Sequence, residues 1–127
     1  MSANENKAFV RRYLDAINGK AKPPAVVDQF ISDEDAVLKQ HIAGYEAAFP
    51  HYALVPEDLI AEGDKVVVRF TLNATYGGGF MDIPAAGQHV AVPGIIIYRI
   101  ANGQIAEHWM EVDSAALMQQ LAVPQAA

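Results

Sequence analysis

The chain holds four histidines and no cysteine, so imidazole proton transfer, rather than thiolate chemistry, is the first reaction class to weigh. His108 lies in the alternating run from Ile105 to Val112. Facing inward, it could exchange protons near neutral pH with no charged neighbour expected to force one state; the alternative is a core histidine bonded to a hydroxyl or carbonyl. His41 falls on the apolar stripe of a predicted helix and could face the same pocket from above, or serve structure alone. His51 and His89 fall at a helix exit and a strand start, where both read as exposed. Four scattered histidines without close inward carboxylates make a poor metal site, so no metal is expected.

Tyr13, Tyr76 and Tyr98 could donate hydrogen bonds to an enolate developing beside a carbonyl, or could be ordinary packing. Arg69 and Thr71, two apart on a predicted strand, would offer an inward cation able to hold a carboxylate or enolate. The competing reading pairs Arg69 with a surface acid such as Glu57 or Glu107. Asp113 reads as a helix cap, and Asp82 and Glu111 are the acids expected nearest the pocket mouth. Gly77-Gly78-Gly79 is no phosphate loop, since no Gly-Lys-Ser/Thr follows it.

The elements that must position these residues follow from periodicity. Ser2 to Glu5 has capping-box spacing, and Phe9, Val10, Tyr13, Leu14 and Ile17 recur at helical period until Gly19. A short second helix is expected over Ala25 to Ile31, just past Pro23-Pro24. Ser32-Asp33-Glu34-Asp35 is acidic and cap-like and opens a third helix, with Leu38, His41, Ile42, Tyr45 and Phe49 inward and Pro50 ending it. The period then changes to two. Tyr52 to Ala61 and Lys65 to Tyr76 predict one hairpin around Glu62-Gly63-Asp64, and His89 to Ile100 and Ile105 to Val112 predict another. Between them, the loop carrying Phe80, Met81, Ile83 and Pro84 is apolar enough to fold back over a pocket mouth. A final helix to Leu121 and a frayed Pro-Gln-Ala-Ala tail complete an α+β arrangement in one domain, residues 1–127.

Which residues share a face depends on the turn Ala101-Asn102-Gly103. A two-residue turn would put Arg99 beside His108. A three-residue loop with a bulge at Gly103 pairs Ile100 with Gln104, which gathers Ile96, Tyr98, Ala106, His108 and Met110 on one face; this is the preferred reading. It leaves Ile95, Ile97, Trp109, Arg99, Glu107 and Glu111 on the other. If Val66, Val68, Phe70 and Leu72 join the Ile95/Trp109 face, an apolar outer surface results and a homodimer through Val68, Phe70 and Trp109 is expected. If they pack the core instead, Arg69 is solvated.

A chain of 127 residues with 52% hydrophobic and 19% charged residues has the core for one folded domain. A net charge of -6 offers no basic stripe for phosphates, so neither nucleic acid nor membrane is expected as a partner. The polar start lacks the apolar stretch of a signal peptide, and the absence of cysteine fits a reducing compartment, so a cytoplasmic protein is expected.

The segments Ala48-Phe49-Pro50, Glu57 to Phe70, Phe80 to Pro84, Tyr98-Arg99-Ile100 and Ile105 to Trp109 resemble the SnoaL-like polyketide cyclases of the nuclear transport factor 2-like superfamily. The resemblance implies a cone-shaped pocket between helices and a curved sheet, a dimer, and ring closure by acid/base chemistry on an apolar carbonyl compound without metal or organic cofactor. It departs from the family in two places. The acidic residue two positions after the strand histidine is Met110 here, and a second histidine on the neighbouring strand is replaced by Ile96. Epoxide hydrolases of the superfamily carry Arg-x-Asp where this chain has Arg69-Phe70-Thr71. The expected catalytic residues are His108 as the acid/base, with Arg69 and Tyr98 stabilising the enolate. Tyr13, His41, Tyr45, Thr71, Tyr76, Phe80, Ile96 and Met110 are expected around the ligand. A non-catalytic binder of a hydrophobic small molecule is the alternative that Met110 favours.

Overall fold

The computed structural model describes residues 2–122, so the Pro-Gln-Ala-Ala tail lies outside the described residues. Its first helix, α1 (Ala3–Ile17), begins on a complete capping box, in which Ser2 and Glu5 exchange side-chain and backbone bonds. Past its end Gly19 takes a left-handed φ of 71°, as a helix stop requires. The short α2 (Pro24–Phe30) starts with proline at its first position, where the missing N–H costs nothing. A 3₁₀ turn, Asp33–Asp35, then leads into α3 (Ala36–Ala48).

The sheet is antiparallel and runs in the order β1 (Ala53–Glu62), β2 (Lys65–Thr75), β3 (His89–Ala101), β4 (Gln104–Val112). Pro56 stands in β1, an edge strand, where a missing ladder donor is tolerated. The last helix, α4 (Ser114–Ala122), is capped by Asp113, whose carboxylate accepts from Ala116 N–H at 3.0 Å. This is the expected α+β arrangement, with every predicted element present and the long ones displaced by one or two residues at their ends.

The register decides the question of faces. Val68 pairs with Ile96, Val66 with Tyr98, and Phe70 with Gly94. Val66, Val68, Phe70 and Leu72 therefore share the inner face with Ile96 and Tyr98, and all are buried under the helices. Gly94 is needed there because a Cβ would lie 2.5 Å from the Phe70 ring and 3.0 Å from the Glu111 carbonyl. The outer face carries Arg69, Thr71, Ile95, Ile97 and Trp109. The expectation that Val68 and Phe70 join Trp109 in an outer patch is thereby corrected: both are core residues, whereas Trp109 is 44% exposed. The physical reason is parity, since the antiparallel pairing sets even-numbered residues of β2 opposite even-numbered residues of β3.

The β3–β4 turn also differs from the preferred reading. Asn102 and Gly103, at φ 53° and 73°, form a two-residue turn that pairs Ala101 with Gln104 and Ile100 with Ile105. The register then shifts, so that Arg99 pairs with Glu107 and Ala106 is the extra, bulged residue. Tyr98 consequently faces His108 across the strands, and Ile96 faces Met110. The expected inner face is correct, but the bulge lies in β4 rather than at the turn.

Candidate functional site

Between α1, α3 and the inner sheet face lies a small cavity of about 40 Å³. Its wall is apolar and aromatic, with Leu38, Ile42, Leu54, Phe70, Leu72, Ile96, Met110 and Val112 around Tyr13, Tyr45, Tyr52 and Tyr98; His41 also lines it. Four of the five tyrosines thus meet at one place.

Beside this wall, His108 Nδ1 lies 2.6 Å from Asp35 Oδ2, with both side chains nearly buried. A carboxylate only accepts, so the shared proton sits on Nδ1, and Nε2 is the ring nitrogen left free of Asp35. His108 Nε2 makes no hydrogen bond among the described residues. The His41 ring stands edge-on to the His108 ring, with centroids 6.0 Å apart. His108 does not itself line the cavity but adjoins three residues that do: His41, Tyr98 across the strand pair and Met110 two residues along.

The dyad is built by a non-local pairing. Ile31 forms a parallel bridge with Ile105, and Ser32 N–H donates to the Ile105 carbonyl at 2.8 Å. From the Ser32–Ile105 bond both segments advance three residues, to Asp35 and His108. Asp35 is also the N-cap of α3, with Oδ1 accepting from Leu38 N–H at 3.0 Å. One carboxylate therefore fixes the helix start with one oxygen and the imidazole with the other, and the cap alone contributes about 1 kcal/mol.

Burial raises the pKa of three phenols lining the cavity. Tyr13 and Tyr98 are enclosed and pushed far above the ordinary phenol range, chiefly by loss of solvent; Tyr52 is raised the same way, with the Glu46 carboxylate adding to it. They stay protonated donors. The Tyr98 hydroxyl is buried beside that of Tyr13 and makes no hydrogen bond of good geometry among the described residues. Lys22, fully buried at its side chain, donates to Glu46 at 2.8 Å and to the Tyr52 carbonyl at 3.0 Å, and its ammonium lies 4.1 Å from the Tyr52 ring centroid. It fastens the end of α3 to the start of β1.

Of the residues expected around the ligand, Tyr13, His41, Tyr45, Ile96, Tyr98 and Met110 line the cavity. Four do not. Arg69 points outward and pairs with Asp58 at 2.7 Å, because its β2 position has the parity of the outer face. Thr71 lies on the same face and donates to Glu57 at 3.0 Å. Tyr76 spends its hydroxyl on the glycine-rich loop, donating to the Ile83 carbonyl at 2.6 Å and accepting from Phe80 N–H at 2.9 Å. Phe80 packs on Phe49, at a centroid distance of 6.0 Å, so the loop folds back over this aromatic cluster rather than the cavity. Asp82 and Glu111 are exposed, as are His51 and His89.

The residue missed by sequence reasoning is Asp35, and with it the expectation that His108 has no charged neighbour is corrected. Its cap-like position was visible. The second oxygen's partner, 73 residues away, is fixed only by the Ile31–Ile105 bridge. Among the described residues no group of three or more His, Asp or Glu side chains could hold a metal, and no helix is long and apolar enough to cross a membrane.

Helices closing a cavity against a four-stranded antiparallel sheet define a nuclear transport factor 2-like protein. The sequence pattern of the SnoaL-like polyketide cyclases matches residues 9–121, and the chain belongs to that family. Its structure is similar to AclR, a proposed hydroxylase from Streptomyces galilaeus, at 25% identity and a TM-score of 0.83 over 99% of this chain and 87% of that one. It is similar to TsrD from Streptomyces laurentii at 27% identity and a TM-score of 0.79, over 95% and 97% of the two chains. A protein from Jannaschia sp. CCS1 named for the SnoaL-like polyketide cyclases gives 25% identity and a TM-score of 0.80, over 97% and 95%. No curated protein matches the chain.

Proposed function

We propose that this protein is a small-molecule enzyme that moves a proton at the carbon beside a carbonyl, as in isomerisation or aldol ring closure. The observation that carries the reading is the 2.6 Å contact between Asp35 and His108 at the edge of an apolar cavity. Asp35 holds the imidazole in the tautomer with Nδ1–H, so Nε2 takes the proton from the carbon acid and the resulting imidazolium lies against a carboxylate. Returning that proton to another carbon completes an isomerisation; attack of the enolate on a second carbonyl, with the proton delivered to the new alkoxide, closes a ring. His41 is the second titratable group within reach of a ligand at this edge. A positioned acid/base of this kind supplies about 10²–10⁴ in rate.

Solvent deuterium exchange into a panel of small ketones and β-keto esters, followed by NMR, tests the reading. Exchange in the wild type that disappears in His108→Ala is expected. No exchange with any substrate, or exchange that survives the substitution, refutes it.

Met110 favours a second reading, a binding protein without turnover, because it presents a thioether on the cavity wall where cyclases of the family carry an acid. Under this reading ketone resonances broaden on binding but never exchange, and Met110→Asp gains an activity that the wild type lacks. The dyad reading expects no such gain, because Asp35 already serves the histidine.

A further inference from the structure

We propose that the Tyr98 hydroxyl, with Tyr13 beside it, is the subsite for the ligand's carbonyl or phenolate oxygen, so that the ligand enters oxygen first and its reacting carbon stops beside His108. The inference rests on the dyad reading for which carbon reacts, but the subsite itself stands on separate observations.

Two buried polar side-chain atoms, Asn6 Oδ1 and Tyr98 Oη, make no hydrogen bond of good geometry among the described residues, and the Tyr98 hydroxyl has only that of Tyr13 beside it. Asn6 sits where α1 meets the β1–β2 turn, its amide already donating to the Gly63 carbonyl. Tyr98 belongs to a residue that lines the cavity and is wholly enclosed. A buried hydroxyl beside a cavity, with apolar side chains for most of its surroundings, is satisfied by an acceptor brought in by a ligand. Tyr13 packs edge-on against Tyr98, with ring centroids 5.7 Å apart, and lines the same cavity. Burial keeps both phenols protonated, so both remain donors while negative charge develops on a bound oxygen.

The strand register orients the rest of the molecule. Tyr98 and His108 are direct cross-strand partners on the inner face, whose Cβ atoms lie about 5 Å apart in such pairs. The two side chains are thus neighbours on one face, so a ligand whose oxygen reaches Tyr98 has its adjoining carbon nearest the strand that carries His108. The cavity is small, and of its lining residues His41 is exposed and Tyr45 half-buried, so the remainder of the ligand extends along these two toward solvent. The favoured ligand class is therefore an enolisable ketone or a phenol with its oxygen at an unhindered end, the bulk of the molecule lying on the far side from it.

The test compares 4-nitrophenol with nitrobenzene, two probes that differ only in the oxygen, by titration against the wild type, Tyr98→Phe and Tyr13→Phe. The absorbance of 4-nitrophenol also reports its ionisation. Expected is binding of 4-nitrophenol at least about tenfold tighter than nitrobenzene in the wild type, with the bound probe shifted toward phenolate, and loss of that preference in Tyr98→Phe. Nitrobenzene binding retained by the variants shows that the cavity is intact. Absence of a preference in the wild type, or a preference that survives both substitutions, overturns the subsite. Loss of preference in Tyr98→Phe together with no deuterium exchange in the wild type upholds the subsite and refutes the dyad reading instead.

Discussion

Asp35→Asn separates the two tasks of the Asp35 carboxylate. The asparagine keeps an oxygen for Leu38 N–H, now 3.0 Å from Oδ1, so the α3 cap survives. Its amide places a donor where Oδ2 now lies 2.6 Å from His108 Nδ1. Two donors cannot face one another, so the imidazole adopts the other tautomer, with Nδ1 accepting and Nε2 protonated. The base is then blocked at the atom that must receive the substrate proton. The exchange rate should fall by about 10²–10⁴, the range for a general base held in the wrong tautomer. Stability should change by no more than about 1 kcal/mol, because burial, cap and hydrogen-bond count are kept. Asp35→Ala is the control for structure: it loses the cap and leaves Nδ1–H unpaired, and should cost about 2–4 kcal/mol in total. NMR exchange rates beside urea unfolding of the three proteins give both numbers. Wild-type exchange in Asp35→Asn would refute the dyad, as would a rate loss that merely tracks the unfolded fraction.

Gly94→Ala should destabilise the fold by about 1–3 kcal/mol in urea unfolding, since its Cβ would meet the Phe70 ring at 2.5 Å and the opposite face is blocked by the Glu111 carbonyl. Because Phe70 also lines the cavity, ligand affinity should fall with it. Arg69→Ala should leave deuterium exchange unchanged, because the guanidinium is on the outer face and engaged with Asp58. Above the ordinary phenol value of 10, stability should drop as pH rises. In that window Tyr13, Tyr52 and Tyr98 hold their protons in the folded state while the unfolded chain releases them, so the unfolded state binds fewer protons and gains. Three such groups give a slope of about 4 kcal/mol per pH unit. Lys22, lowered by burial, acts in the opposite sense as a single group, and ultraviolet titration should show the three phenols ionising only with unfolding.

The helices were legible because their signals are local: the Ser2/Glu5 box, Pro24 at a first turn and Asp113 at a last cap each lie within a few residues of what they control. The inner face of β3 and β4 was legible from alternation, whereas the face of Arg69 was not. Alternation divides β2 into an apolar and a polar set but does not say which set meets the helices; only the pairing of Val68 with Ile96 does. Tyr76 and Phe80 failed for a related reason. Their types suit a pocket, but the tight bonds between the Tyr76 hydroxyl and the loop backbone turn both toward Phe49. Asp35 was visible as a cap and hidden as a partner.

The placement of His108 depends on two irregularities that compensate. Asn102-Gly103 closes a two-residue turn that sends Ile105 inward opposite Ile100. Strict alternation from there would turn Ala106 out, Glu107 in and His108 out, burying a carboxylate and exposing the imidazole. The bulge at Ala106 restores the other parity: Ile105 and Ala106 are both buried, Glu107 turns outward to Arg99 at 2.9 Å, and His108 turns inward to Asp35. The same Ile105 accepts the bridge from Ile31 that brings Asp35 across. One short stretch, Ile105-Ala106, therefore sets both members of the dyad, one by its register and the other by its free edge. A regular hairpin could not have done both, because β4 is an edge strand whose unpaired side would then present Glu107, rather than His108, beneath the start of α3.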